Sequence, residues 1–420
     1  MRILIIVVYY LPSLESSARL IYDLGVEFRR QGHDVTILTP SESISGDFEV
    51  STENELRIAR VKTGKIKTTT KLFRALREVC LSTIVWRRAK HFLSANHGDL
   101  IVFYSPTIFF GALVRRLKAL WGCPTYLILR DIFPQWVVDA GILRKGLVWR
   151  YFRKKEIEQY EVADLIGVES PANIEYFARN FPGRYQLRVL YNWANPDGRD
   201  LPSTDYRERM GLQNKVLFFY GGNLGVAQDL DNIIRLATRC VPNRRIHFLL
   251  VGDGSEARRL QKVIEEANLP NIQIMPPVTE PQYMSMLSEA DVGLISLDRR
   301  LKTHNLPGKL LGYAYSGKAI LASINPGNDL FEILEKEPAG YCVENGNDDR
   351  LFDAALTLAN DSELRARMGR SCRRLLERLF SVNEAVNQIM NDLETEKLIA
   401  GNTGAGVTDS VSSFASPERY

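Results

Sequence analysis

Residues 215–236 read KVLFFYGGNLGVAQDLDNIIRL. An unbroken apolar run from Val216 to Tyr220 has the pattern of a strand buried on both faces, and the amphipathic stretch from Asp231 predicts a helix to Arg239. Between them Gly221, Gly222 and Gly225 remove side chains where a strand end meets a helix start. Backbone amides there can approach an anion closely, and the helix dipole favours its charge. A tight turn without a ligand would also use glycines.

Working outward, the same texture recurs. HFLLVGDG (247–254), a helix from Glu256 to Ala267, then IQIMPPV, VGLISL, AILASI and GYCVE continue the series. Upstream, Ile3 to Val8, a polar loop from Pro12 to Ser17, a helix from Ala18 to Gln31 and DVTILT form a βαβ unit. DLIVFY (99–104), TYLILRD (125–131) and DLIGVES (164–170) follow. The segment YNWANPDGRDLPSTDYRERM (191–210), rich in Asn, Asp, Pro and Gly, separates the two series. The expected fold is therefore α/β, two Rossmann-like domains facing one another across a deep cleft, over residues 1–192 and 193–383. Residues 384–400 predict a last helix that packs back on the first domain, and the small, polar stretch 401–420 a disordered tail.

Length and composition agree with this: 420 residues exceed one ordinary core, and 45% hydrophobic with 25% charged residues is a globular composition. Five scattered cysteines without a C-x-x-C pair indicate neither a disulfide framework nor a zinc site, and fit a reducing, cytoplasmic compartment. The opening MRILIIVVYYLP has an apolar run of only about nine residues and no A-x-A-like cleavage site, so it is expected to be a strand rather than a signal peptide. No stretch reaches the roughly 18–20 apolar residues of a spanning helix.

Charge is uneven. The net charge is +4, yet eleven Lys or Arg and one acid, Glu78, lie between Arg57 and Lys90. RKGLVWRYFRKK (144–155) interleaves six basic residues with Leu147, Trp149, Tyr151 and Phe152. This suits either a solvated helix face or an anionic membrane surface, and the expectation is peripheral attachment at the inner face of the plasma membrane. Nucleic acid is disfavoured, because no helix-turn-helix, RNP-type or zinc-finger pattern accompanies the charge.

A second candidate site is KTHNLPGKLLGYAYSGKAILAS (302–323). Asn305 is placed as a cap, Pro307 in the first helical turn, Gly308 where it leaves amides open, and Lys309 where its ammonium would face phosphate. Gly317-Lys318 reads as a helix stop. No Gly-x-Gly-x-x-Gly follows the first strand, and no Walker-type loop, His-Glu-x-x-His helix or Gly-x-Ser-x-Gly elbow is present, so oxidoreductase, kinase, metalloprotease and hydrolase readings fall.

In order and wording these segments resemble glycosyltransferase family 4, of the GT-B fold, up to about residue 398. RDIFPQWVVDAGIL (130–143), GNLGVAQDL (222–230) and HNLPGKLLGYAYSGKAILASINPGNDL (304–330) resemble the branch that builds O-antigen and capsule repeats, in particular N-acetyl-L-fucosaminyltransferases. The resemblance implies a retaining transfer from a UDP-sugar to a sugar on polyprenyl diphosphate, with no metal at the diphosphate. It implies donor contacts at Gly221, Gly222, Asn223, Gly225, Gln228, Gly252, Asp253, Val278, Asn305, Pro307 and Gly308. Lys309 would act at the leaving group, Asp131 would orient the acceptor hydroxyl, His304 is a further catalytic candidate, and Ser16, Ser17 and Arg130 would lie on the acceptor side. Two departures stand out: where many members have a glutamate pair this chain has His304 and Gly312, and Asn223 and Gln228 replace the usual Arg and Lys of the diphosphate turn. A GT-B epimerase acting on a UDP-sugar and a UDP-binding protein without turnover stay open beside transfer.

Overall fold

The computed structural model describes residues 1–420 apart from 14, 65–70, 106, 140, 142, 198–204, 303–305 and 404–420, with the backbone alone for 16, 71–77, 136, 139 and 396–403. The first sheet contains β1 (Arg2–Ile6), β2 (Asp34–Ser41), β3 (Phe48–Glu53), β4 (Leu56–Lys62), β5 (Leu100–Tyr104), β6 (Thr125–Ile128), β7 (Leu165–Val168) and β8 (Leu187–Val189). Their order is β3-β4-β2-β1-β5-β6-β7-β8, parallel except for β3. The second sheet contains β9 (Val216–Gly221), β10 (Ile246–Val251), β11 (Ile272–Met275), β12 (Val292–Ser296), β13 (Ala319–Ile324) and β14 (Gly340–Glu344), in the order β11-β10-β9-β12-β13-β14, all parallel. Central strands such as LIVFY and VLFFYG are buried along their whole length, because helices cover both faces.

The sheets meet in one way that matters for function. Ala172, four residues beyond the end of β7, donates its amide to Asp329 Oδ2 at 3.1 Å, and Asp329 lies in the loop after β13. The carboxyl ends of strands in both sheets therefore face each other. The chain crosses between lobes twice, side by side: Ala194 N donates to Phe380 O at 2.8 Å and Val382 N to Ala194 O at 3.0 Å. Arg373 bonds Pro196 O across the same junction at 2.7 Å.

The last helix spans Val382–Thr403, so residues 401–403, expected in the tail, are helical; 404–420 lie outside the described residues. Val386, Ile389 and Leu393 of this helix are buried in one cluster with Ile5, Val102 and Ile128 of the first sheet. Tyr126 donates to Asp392 Oδ2 at 2.9 Å beneath it.

Three strands go beyond the sequence-based list. The β3–β4 hairpin alternates polar and apolar residues and turns at Asn54 and Glu55, both at positive φ, while β8 has only three residues. The hairpin also corrects the first basic cluster. Arg57 and Arg60 belong to β4, and Arg60 pairs with Glu53. In the second cluster Arg153 pairs with Glu156 and Lys155 with Glu158, leaving Arg144, Lys145, Arg150 and Lys154 as its exposed cations.

Candidate functional site: the facing strand ends

The glycine turn after β9 is locked to the loop after β10. Gly222 N donates to Val251 O at 2.9 Å, Leu224 N to Asp253 O at 2.8 Å, and Glu256 N to Leu224 O at 2.9 Å. Gly252, at φ +155°, lies so close to the turn that a Cβ there would be 1.8 Å from Gly222 O. Asn223 and Gln228 brace the turn: Asn223 Nδ2 and Gly225 N both donate to Gln228 Oε1, at 3.0 and 3.2 Å. Gln228 thus shapes the loop. Tyr220 OH donates to Asn223 O at 2.7 Å, which ties the turn to the aromatic end of β9.

Lys309 comes to this turn from a different strand-helix unit. Its Nζ lies 3.6 Å from where a Gly222 Cβ would be and 4.7 Å from the centroid of the Tyr220 ring. Among the described residues no carboxylate pairs with it, and burial lowers its pKa to about 8. The helix it opens runs Lys309–Tyr315 with Gly308 as its N-cap, so Pro307 precedes the helix instead of occupying its first turn. The physical cause is a tight turn, in which Leu310 N donates to Pro307 O at 2.9 Å. A Cβ at Gly308 would meet nothing within 4 Å, which leaves that corner open. His304 and Asn305 lie outside the described residues.

Beside the turn a pocket of about 440 Å³ is lined by Gly252, Asp253, Met275 and Pro277 with the flank of the helix Ala257–Glu266. Asp253 is exposed and accepts from Gly254 N at 2.8 Å. Val278 packs instead on the core beneath. Lys318 donates to Ser288 O at 2.6 Å, a structural bond.

Across the cleft, Arg130 and Asp131 follow β6. Arg130 is buried, donating to Leu190 O at 2.6 Å and Tyr191 O at 3.3 Å, with its guanidinium 5.4 Å from the Trp193 ring. Asp131 is half-buried; burial raises its pKa and Arg130 opposes the rise. Glu169, after β7, was not legible as a site residue, because nothing in DLIGVES reports burial. Burial pushes its pKa up to about 7, with Arg130 lowering and Asp131 raising it. Ser17 is buried near the start of the helix Ser16–Arg30, away from these strand ends in sequence; of Ser16 only the backbone is described.

Residues 17–197 match the family model described as Glycosyltransferase Family 4, and residues 203–375 the one described as Glycosyl transferases group 1. The colanic acid biosynthesis glycosyl transferase WcaI of Escherichia coli K12, itself described as putative, is 24% identical over 70% of this chain and 74% of its own. A probable glycosyltransferase of Pseudomonas aeruginosa, WbjE, is 24% identical over 60% of this chain and 64% of its own. Among solved structures, sucrose-phosphate synthase from Thermosynechococcus elongatus superposes with a TM-score of 0.67 at 17% identity, covering 96% of this chain and 100% of that one. Anabaena HepE in complex with UDP-glucose gives a TM-score of 0.66 at 15% identity, over 94% of this chain and 100% of that one. With its two facing parallel sheets and both family matches, the chain belongs to the glycosyltransferases of family 4 and has the GT-B fold.

Proposed function

We propose that this glycosyltransferase moves a sugar from a UDP-activated donor to a lipid-linked acceptor in surface polysaccharide synthesis, with retention at the anomeric carbon. N-acetyl-L-fucosamine is the first sugar to test. The observation that carries the reading is Lys309, an ammonium without a carboxylate partner among the described residues, set against the glycine turn at the end of β9. Donor diphosphate over Gly222 and Asn223 would meet that charge and the backbone of the turn. The pocket beside Gly252 and Pro277 would take the base.

In the reaction the bond between the anomeric carbon and the UDP oxygen breaks as the acceptor oxygen bonds to that carbon on the same face. The departing phosphate oxygen takes the acceptor's proton. Lys309 and fixed amides stabilise the charge that develops on UDP, which makes preorganised electrostatics the main catalytic contribution. Asp131 orients the acceptor hydroxyl by accepting its hydrogen bond as the acceptor binds, and in the transfer the hydroxyl turns that proton to the departing phosphate oxygen. On this reading Lys309 and the backbone balance the diphosphate, so the rate is insensitive to EDTA.

The acceptor's lipid requires the first lobe at a membrane. No described helix is long and apolar enough to cross one. The helix Leu147–Val162 instead leaves Leu147 83% and Val148 57% exposed beside Arg144, Lys145, Arg150 and Lys154, a surface suited to anionic headgroups.

The test is a screen of UDP-sugars, including the N-acetyl-L-fucosamine and N-acetylglucosamine donors, for UDP release and label transfer to a polyprenyl-diphosphate sugar, with the anomer assigned by NMR. Acceptor-dependent release with retention is expected. Acceptor-independent isomerisation, or UDP binding without turnover, would overturn it.

A further inference from the structure

The reaction as written gives no part to Glu169, the most deeply buried carboxylate beside the acceptor side of the cleft. Four strand ends lie side by side here: Tyr104 closes β5 with Ser105 after it, Arg130 and Asp131 follow β6, Glu169 follows β7, and Asn192 lies beyond β8. Asn192 Nδ2 donates to Glu169 Oε1 at 2.5 Å. The charged groups acting on Glu169 are Arg130 and Asp131, and Tyr104 feels all three. The register of β6 on β7, with Leu129 N donating to Gly167 O at 2.9 Å, sets Arg130 alongside Glu169, so one guanidinium serves the carboxylates of both strand ends. Bonds to Leu190 O and Tyr191 O fix that guanidinium, so it cannot follow either acid, and the two compete for its charge.

We propose that Glu169 is a positioning residue of the acceptor site: by engaging Arg130 it leaves the Asp131 carboxylate available to the incoming hydroxyl, an inference that rests on the role given to Asp131 above. With Glu169 ionised, Arg130 divides its attraction between two carboxylates and Asp131 keeps its basicity. With Glu169 protonated, Arg130 acts on Asp131 alone and weakens it as an acceptor. Burial sets this exchange near neutral pH, since Glu169 titrates at about 7, and the amide of Asn192 favours the ionised form.

The test pairs kinetics with a titration that needs no turnover. In the parent enzyme kcat rises with pH through a limb near 7. Glu169→Gln removes that limb and lowers kcat roughly 10- to 100-fold, with UDP affinity and melting temperature unchanged. Glu169→Asp recovers part of the rate, and Asn192→Ala moves the limb to higher pH by removing a donor to the charged form. By ¹³C NMR of the carboxyl groups, Glu169 titrates near neutrality and shifts downward in Asp131→Asn, because a like charge has gone. A Glu169→Gln enzyme with the parent's kcat and pH limb, or a Glu169 midpoint unmoved by Asp131→Asn, overturns the proposal. If the parent transfers no sugar, the fault lies with the proposed reaction, and the titration still decides whether the two acids are coupled.

Discussion

In the proposed reaction donor binding turns on Lys309, and its physics can be measured directly. Burial disfavours its charge, so the folded protein holds fewer protons than the unfolded chain between about pH 8 and the ordinary lysine value of 10.5, and stability rises with pH across that window. A bound diphosphate reverses the preference. UDP binding at pH 8 should therefore take up about half a proton, read from calorimetry in buffers of different ionisation enthalpy. Lys309→Met should lose that uptake and bind UDP roughly 10- to 100-fold more weakly; unchanged affinity would remove the residue from the site. Its place at a helix start was legible in HNLPGKLL, whereas its approach to Gly222 was not. Glu169 was not legible, because its partners Arg130 and Asn192 come from other strand ends and only the fold brings them to one place.

At the scale of elements, the strand-turn-helix unit after β9 depends on the neighbouring loop as much as on its own glycines. The backbone of Gly252 touches that of Gly222, and no rotamer change can relieve a Cβ placed there. Gly252→Ala should cost about 2 kcal/mol or more in denaturant unfolding and weaken UDP binding, since the turn must move. A variant with the parent's affinity would show that the turn is not the diphosphate site. The elements themselves were largely readable, because buried parallel strands are continuous apolar runs of the kind seen at VLFFY and LIVFY. The β3–β4 hairpin escaped because one of its strands is an edge with polar residues alternating along it, and β8 because three residues carry no period. Pro307 was assigned to the helix on its preference for first turns; the Pro307–Leu310 turn sets the start at Lys309 instead.

For the whole molecule, the apolar and basic face of the first lobe should act as a unit. Each Lys or Arg near an anionic surface contributes about 1 kcal/mol, so replacing Arg144, Lys145, Arg150 and Lys154 by Gln should weaken partition into phosphatidylglycerol vesicles on the order of 100-fold or more. Co-sedimentation equal to the parent's would count against membrane docking. The exposed Leu147 and Val148 give the same face its apolar component.

By itself the sequence determined the α/β pattern and the glycine turn, because burial on both sheet faces and tight backbone approach each demand particular residues at local spacing. Only the tertiary structure decided which strand ends face each other and which charges share one buried place. The Ala172–Asp329 bond, the approach of Lys309 to Gly222 and the Glu169–Arg130–Asp131 competition all join residues from different strand ends. Such energies depend on distance and burial, which spacing along a chain does not encode.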